Sequence, residues 1–113
     1  MKSLLEEQVQ PAKPDETALI TEAIQPLLEE LDHDWQCVED HHLTKEFSFD
    51  DFLSALDFVN SVGQYAEKVN HHPEITFTWG KASIVIYTHD VEGLRRADFV
   101  WAAHVQQLYQ SNS

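Results

Sequence analysis

Cysteine is nearly absent from this chain of 113 residues: Cys37 is the only one. No disulfide can form within it, and such a chain suits a reducing compartment. No apolar run approaches the roughly 18–20 residues of a membrane span. Met1–Gln10 carries a single lysine and no apolar centre of a secretory leader. These features lead to the expectation of a cytoplasmic protein with no membrane partner. Basic residues are scarce too, 7 Lys and Arg against 20 Asp and Glu, giving a net charge of −13 with the histidines neutral. A field of that sign repels phosphate backbones, so direct nucleic-acid binding is not expected, while a small neutral ligand is left open. With only 3 glycines, the chain has no phosphate-binding loop, dinucleotide fingerprint or nucleophile elbow, and no zinc–cysteine pattern either.

What is present is an ordinary globular balance, 42% hydrophobic and 24% charged, enough for one domain with a modest core. Residues 1–16, with Pro11 and Pro14, read as a flexible N-terminal tail, and residues 17–113 as a single domain. Thr17–Leu31 has apolar residues at helical spacing, interrupted by Pro26, which predicts a kink or a late start. Trp35–Glu39 and His42–Phe47 read as a hairpin around a polar turn at Asp40-His41. Ser48 or Asp50 is placed to cap a helix whose stripe runs through Phe52, Ala55, Leu56, Val59, Val62, Gly63, Ala66 and Val69. Pro73 pushes His72 out of the helical region, so that helix ends near Asn70. Ile75–Trp79 and Ala82–Tyr87 form a second hairpin across Gly80-Lys81, and Leu94 onward is helical again. Two half-apolar hairpins must each hide one face. The predicted fold is therefore α+β, a four-stranded antiparallel sheet with three helices packed on one face, in the order α-β-β-α-β-β-α.

The chemistry-bearing residues gather between Glu67 and Asp98. Glu67 and His71 are four residues apart and share a helix face if the last turn persists. His71 and His72 sit just beyond a helix C-terminus, where the dipole attracts a positively charged ring. His89 follows the second strand of the next hairpin and faces the tandem pair if that hairpin folds back. Such histidines suit general acid–base catalysis. A zinc site is disfavoured, because adjacent residues diverge in direction and no H-x-x-x-H or H-E-x-x-H spacing occurs. Polar residues that merely cap a helix and a strand are the remaining reading. His41, His42 and His104 read as turn, strand and packed core residues.

At Glu67, His71-His72-Pro73, Trp79, His89 and Asp98 the sequence resembles the pterin-4a-carbinolamine dehydratase family, also known as dimerisation cofactors of a homeodomain transcription factor. Thr88-His89-Asp90 and Gly93-Leu94 add to the likeness, which spans Thr17 to Tyr109. The resemblance implies a hydro-lyase that dehydrates 4a-hydroxytetrahydrobiopterin to quinonoid dihydropterin, in recycling of tetrahydrobiopterin, with no metal and no resident cofactor. It implies His71, His72 and His89 as catalytic residues, and Glu67, Asn70, Pro73, Trp79, Thr88, Asp90 and Asp98 on the substrate side. His71 and His89 would protonate the leaving hydroxyl. His72 would orient the pterin or act as base, Glu67 would hold the imidazoles, and Asp98 would position the cleft or meet the pterin's polar edge. The implied partners are a small pterin and further copies of the chain, as homodimer or homotetramer. The alternatives are a pterin-binding, regulatory or dimerisation protein without catalysis, or a role in molybdopterin metabolism. Arg95 stands where the family has a capping Thr or Ser, so the cap of the last helix is expected from Asp90.

Overall fold

The computed structural model describes residues 3–31 and 33–111. The elements are α1 (Thr21–Leu31), β1 (Gln36–Val38), β2 (His42–Ser48), α2 (Phe52–Val69), β3 (Glu74–Thr78), β4 (Lys81–Ile86) and α3 (Arg96–Ser111). Short 3-10 turns occupy Leu4–Glu6 and His89–Val91. The strands form one antiparallel sheet in the order β1-β2-β4-β3, so the fold is the α+β arrangement expected.

Strand alternation builds the core. The register sets Leu43 opposite Ile86, Phe47 opposite Ala82 and Ile75 opposite Ile84. That face is dry: Leu43, Phe47, Ala82, Ile84 and Ile86 are all buried. They share one cluster with Phe58 and Val62 of α2 and Phe99, Trp101 and Val105 of α3. Each large side chain sealed there contributes roughly 1.5–3 kcal/mol of transfer free energy. The opposite sheet face carries Thr44, Glu46, Ser83 and Thr76, none of them buried.

The first helix starts late, at Thr21, one of the two outcomes expected of Pro26, which stays inside it. Other local boundaries differ from the sequence expectation. The first hairpin turns on Glu39 and Asp40, both left-handed at φ 55, rather than on Asp40-His41. The second turns on Trp79-Gly80, because Thr78 pairs with Lys81. Asp51, not Ser48 or Asp50, caps α2 by accepting from the Ser54 amide. Residues 3–16, expected as a loose tail, lie along the domain instead. Leu4 is buried in the core cluster, its amide donates to Glu30 Oε1 at 3.2 Å, and Glu7 pairs with Arg96. One apolar turn and a few polar anchors dock this stretch, too little to show as a periodic pattern.

Candidate active site

The site begins at the end of α2. Asn70 takes the left-handed conformation (φ 52, ψ 47), which asparagine tolerates better than most residues. The His71 amide then reaches back to Ala66 O at 3.1 Å, and the Asn70 amide to Glu67 O at 3.4 Å. This pair of bonds is a Schellman ending, and it turns the tandem histidines off the helix axis. Trp101 Nε1 donates to the His71 carbonyl at 2.9 Å and fixes that backbone against α3.

The His71 ring is held from behind. Its Nε2 lies 2.6 Å from Asp98 Oδ1, and Asp98 has no exposed side-chain surface. The other carboxylate oxygen accepts from Thr88 Oγ1 and from the Arg95 amide, each at 2.8 Å. An ionised carboxylate can only accept, so Nε2 carries the proton of the shared bond and Nδ1 is the ring nitrogen left for a ligand. The bond from the Arg95 amide is also the reciprocal half of a capping box at the start of α3. Asp98 therefore supplies the cap expected from Asp90.

The third histidine arrives by another route. Beyond β4, Thr88 and Gly93 pair as an isolated bridge, with amide–carbonyl bonds of 2.8 and 3.3 Å. Within that loop His89 opens the 3-10 turn, and its ring packs on Tyr87 with centroids 4.3 Å apart. His71, His72 and His89 line one cleft of about 560 Å³, a size ordinary for small-molecule sites. Asn70, Thr88 and Asp90 line it as well.

Four expected residues are not in the lining. Glu67 bonds His72 rather than His71, as an exposed surface pair. A fifth-residue partner is reached because the chain has already left the helix at Asn70. Pro73 only leads into β3. Trp79 sits at the tip of the second hairpin, 68% exposed and outside the cleft. Asp98 lies beneath His71 and cannot meet a pterin edge. In the other direction, Lys68, Val69 and Arg95 line the cleft without having been singled out for it. So do Val9, Gln10, Pro11 and Ala12 of the N-terminal stretch. The one signal for Arg95 was an arginine at a position expected to cap a helix. Among the described residues no cluster of three or more His, Cys, Asp and Glu side chains is arranged to hold a metal ion.

A buried carboxylate steadying one imidazole, with two more imidazoles around the same hollow, can deliver and accept protons on one small ligand. Comparison with known proteins gives the chain a family. Residues 17–108 match the family model for pterin 4 alpha carbinolamine dehydratase. A protein of Rubrobacter xylanophilus named "Putative pterin-4-alpha-carbinolamine dehydratase" is 44% identical over 96% of this chain and 100% of its own. A protein of the same name from Alkaliphilus metalliredigens is 38% identical over 95% of this chain and 96% of its own. The crystal structure of a transcriptional coactivator/pterin dehydratase from Brucella melitensis superposes with a TM-score of 0.76 at 29% identity, covering 81% of this chain and 98% of that one. A pterin dehydratase-like RuBisCO assembly factor of the alpha-carboxysome shares the fold alone, with a TM-score of 0.61 at 22% identity over 70% of this chain and 93% of its own. The chain belongs to the pterin 4 alpha carbinolamine dehydratase family.

Proposed function

We propose that this chain is a hydro-lyase that dehydrates 4a-hydroxytetrahydrobiopterin to quinonoid dihydropterin. The observation that carries the reading is the meeting of His71, His72 and His89 on one cleft, with His71 braced by the buried Asp98. In the reaction the bond from C4a to the hydroxyl oxygen breaks. A proton is delivered to that oxygen so that it departs as water. The proton on N5 is lost as the double bond between N5 and C4a forms. His71 and His89 supply the proton to the departing hydroxyl, and the more exposed His72 orients the ring and accepts the proton from N5. Asp98 holds the Nε2–H edge of His71, so that the imidazolium presents its Nδ1–H to the departing hydroxyl, and Asp98 acts as a positioning residue. Asn70, Thr88 and Asp90 supply polar contacts at the rim of the cleft. The reaction belongs in the cytoplasm, where a protein with one thiol is at home.

Purified protein should accelerate the loss of a 4a-hydroxytetrahydropterin followed by absorbance. Because a positioned acid or base contributes about 10²- to 10⁴-fold, His71→Ala should lower kcat by that order. A rate unchanged in that variant would sink the reading.

A second reading, assembly with further copies of the chain, rests on surface rather than cleft. Phe52 is 52% exposed and Leu53 64% exposed on the first turn of α2, with Phe52 against the Phe77 ring at 5.2 Å. Apolar side chains of that size on neighbouring positions favour a homodimer or homotetramer.

A further inference from the structure

The cleft is closed on one side by chain that lies ahead of residues 17–108, the stretch the family model matches. Val9, Gln10, Pro11 and Ala12 form that wall. They do not rest there by apolar contact alone. The buried Arg95 guanidinium donates from Nη1 to the Gln10 carbonyl at 3.0 Å. Its Nε donates to Thr88 Oγ1 at 3.1 Å, and Nη1 lies 3.6 Å from Glu16 Oε1. One arginine therefore ties the wall to the same Thr88 that bonds the carboxylate behind His71. A second set of anchors lies outside the cleft. Arg96 Nε donates to Glu7 Oε1 at 2.9 Å and Nη2 to Glu7 Oε2 at 2.5 Å. His104 Nε2 lies 2.9 Å from the Glu7 carbonyl, and Leu4 is sunk in the core.

From this we infer that Val9–Ala12 is a ligand-binding wall of the site, held in place by Arg95 from within and by the Glu7–Arg96 pair from outside. The inference rests on the pterin reading above and adds to it a specificity element. Val9, Pro11 and Ala12 present no charge, and proline has no amide hydrogen to offer. The Gln10 carbonyl is already taken by Arg95. The wall therefore meets an uncharged portion of the bound pterin and shields it from water. Because the anchors are made before any ligand arrives, the ordering cost is met in folding and not in binding.

The test uses the full chain and biopterin as a fluorescent probe. Glu7→Arg sets like charges at the outer anchor without touching the cleft. Amide hydrogen exchange across residues 4–12 should quicken. The Kd for biopterin should rise about tenfold, what the loss of a couple of buried methylene contacts brings. Arg96→Glu in the same chain recreates the pair with its signs exchanged and should restore both measurements. Ala12→Trp alters the wall and leaves the outer anchor whole, so it decides the matter if Glu7→Arg fails to fold or leaves exchange unchanged. It too should weaken biopterin about tenfold. Faster exchange with an unchanged Kd would overturn the inference, as would tight binding by Ala12→Trp. Wild-type protein that does not bind biopterin at all would remove the pterin reading itself, and this wall with it.

Discussion

Asp98 shows how much one buried carboxylate can organise. It accepts from the Thr88 hydroxyl and the Arg95 amide while facing the His71 ring, so one side chain starts α3, closes the loop after β4 and orients an imidazole. Asn at this position offers a single acceptor oxygen for three donors. Asp98→Asn should therefore lower kcat on the order of 10²-fold with KM little changed, by loss of orientation at His71. Equal losses in kcat and in binding would point to a collapsed site instead. Tyr65 is a residue-scale case of burial alone. Packed flat against His104 with ring centroids 5.5 Å apart, its phenol is pushed up to about 12 because the charged form would be poorly solvated. In a spectrophotometric titration this tyrosine should ionise above the ordinary tyrosine range, and Tyr65→Phe should remove that late step.

At the scale of elements, ends and turns decide where the functional groups stand. The Asp51 carboxyl is held below the usual carboxylate range, chiefly by the Ser54 amide that donates to it at 2.7 Å. A depressed pKa in the folded state adds stability that is complete above the unfolded value and is lost as pH falls through the folded one. Asp51→Asn keeps an acceptor oxygen but cannot titrate. Urea midpoints measured from about pH 6 down to about pH 3 should fall less steeply for that variant than for wild type. The loop carrying His89 has its own constraint at Gly93. A Cβ there would stand 2.7 Å from the Ala18 Cβ, and overpacking of that kind costs about 1–3 kcal/mol. Gly93→Ala should lower Tm and disturb the Thr88 bridge, read as lost activity at temperatures where the variant is still folded. The element order, the two hairpins and the stop of α2 near Asn70 were all legible beforehand, since each rests on periodicity or on a proline. The choice of Asp51 over Asp50 as cap was not, because either aspartate has a suitable oxygen and only the entry angle of the chain separates them.

At the scale of the whole molecule, α3 is the centre of the packing. Its residues Ala97 to Ala103 are buried without a break, between the sheet, α1 and the N-terminal turn at Leu4–Glu6. A helix enclosed on most sides cannot be told from an amphipathic one by its first apolar residues. Assembly is a second matter for this scale. Light scattering should give the mass of two or four chains, and Leu53→Glu, on the exposed start of α2, should lower it. A single-chain mass for the wild type would set that surface aside.

Resemblance to the family singled out His71, His72 and His89, whose spacing alone left a mere capping role open, while periodic apolar residues and the helix-stopping Pro73 were enough, read along the chain, to define the α+β order. These are short-range signals, set by backbone sterics and by the pitch of helix and strand. Tertiary packing alone decided that Asp98 stands behind His71 while Glu67 goes to His72, that Trp79 lies away from the cleft, and that Val9–Ala12 completes its wall. Each of those outcomes depends on which segments become neighbours in space. Hydrogen-bond partners 27 and 85 residues apart along the chain leave no local pattern from which to foresee them.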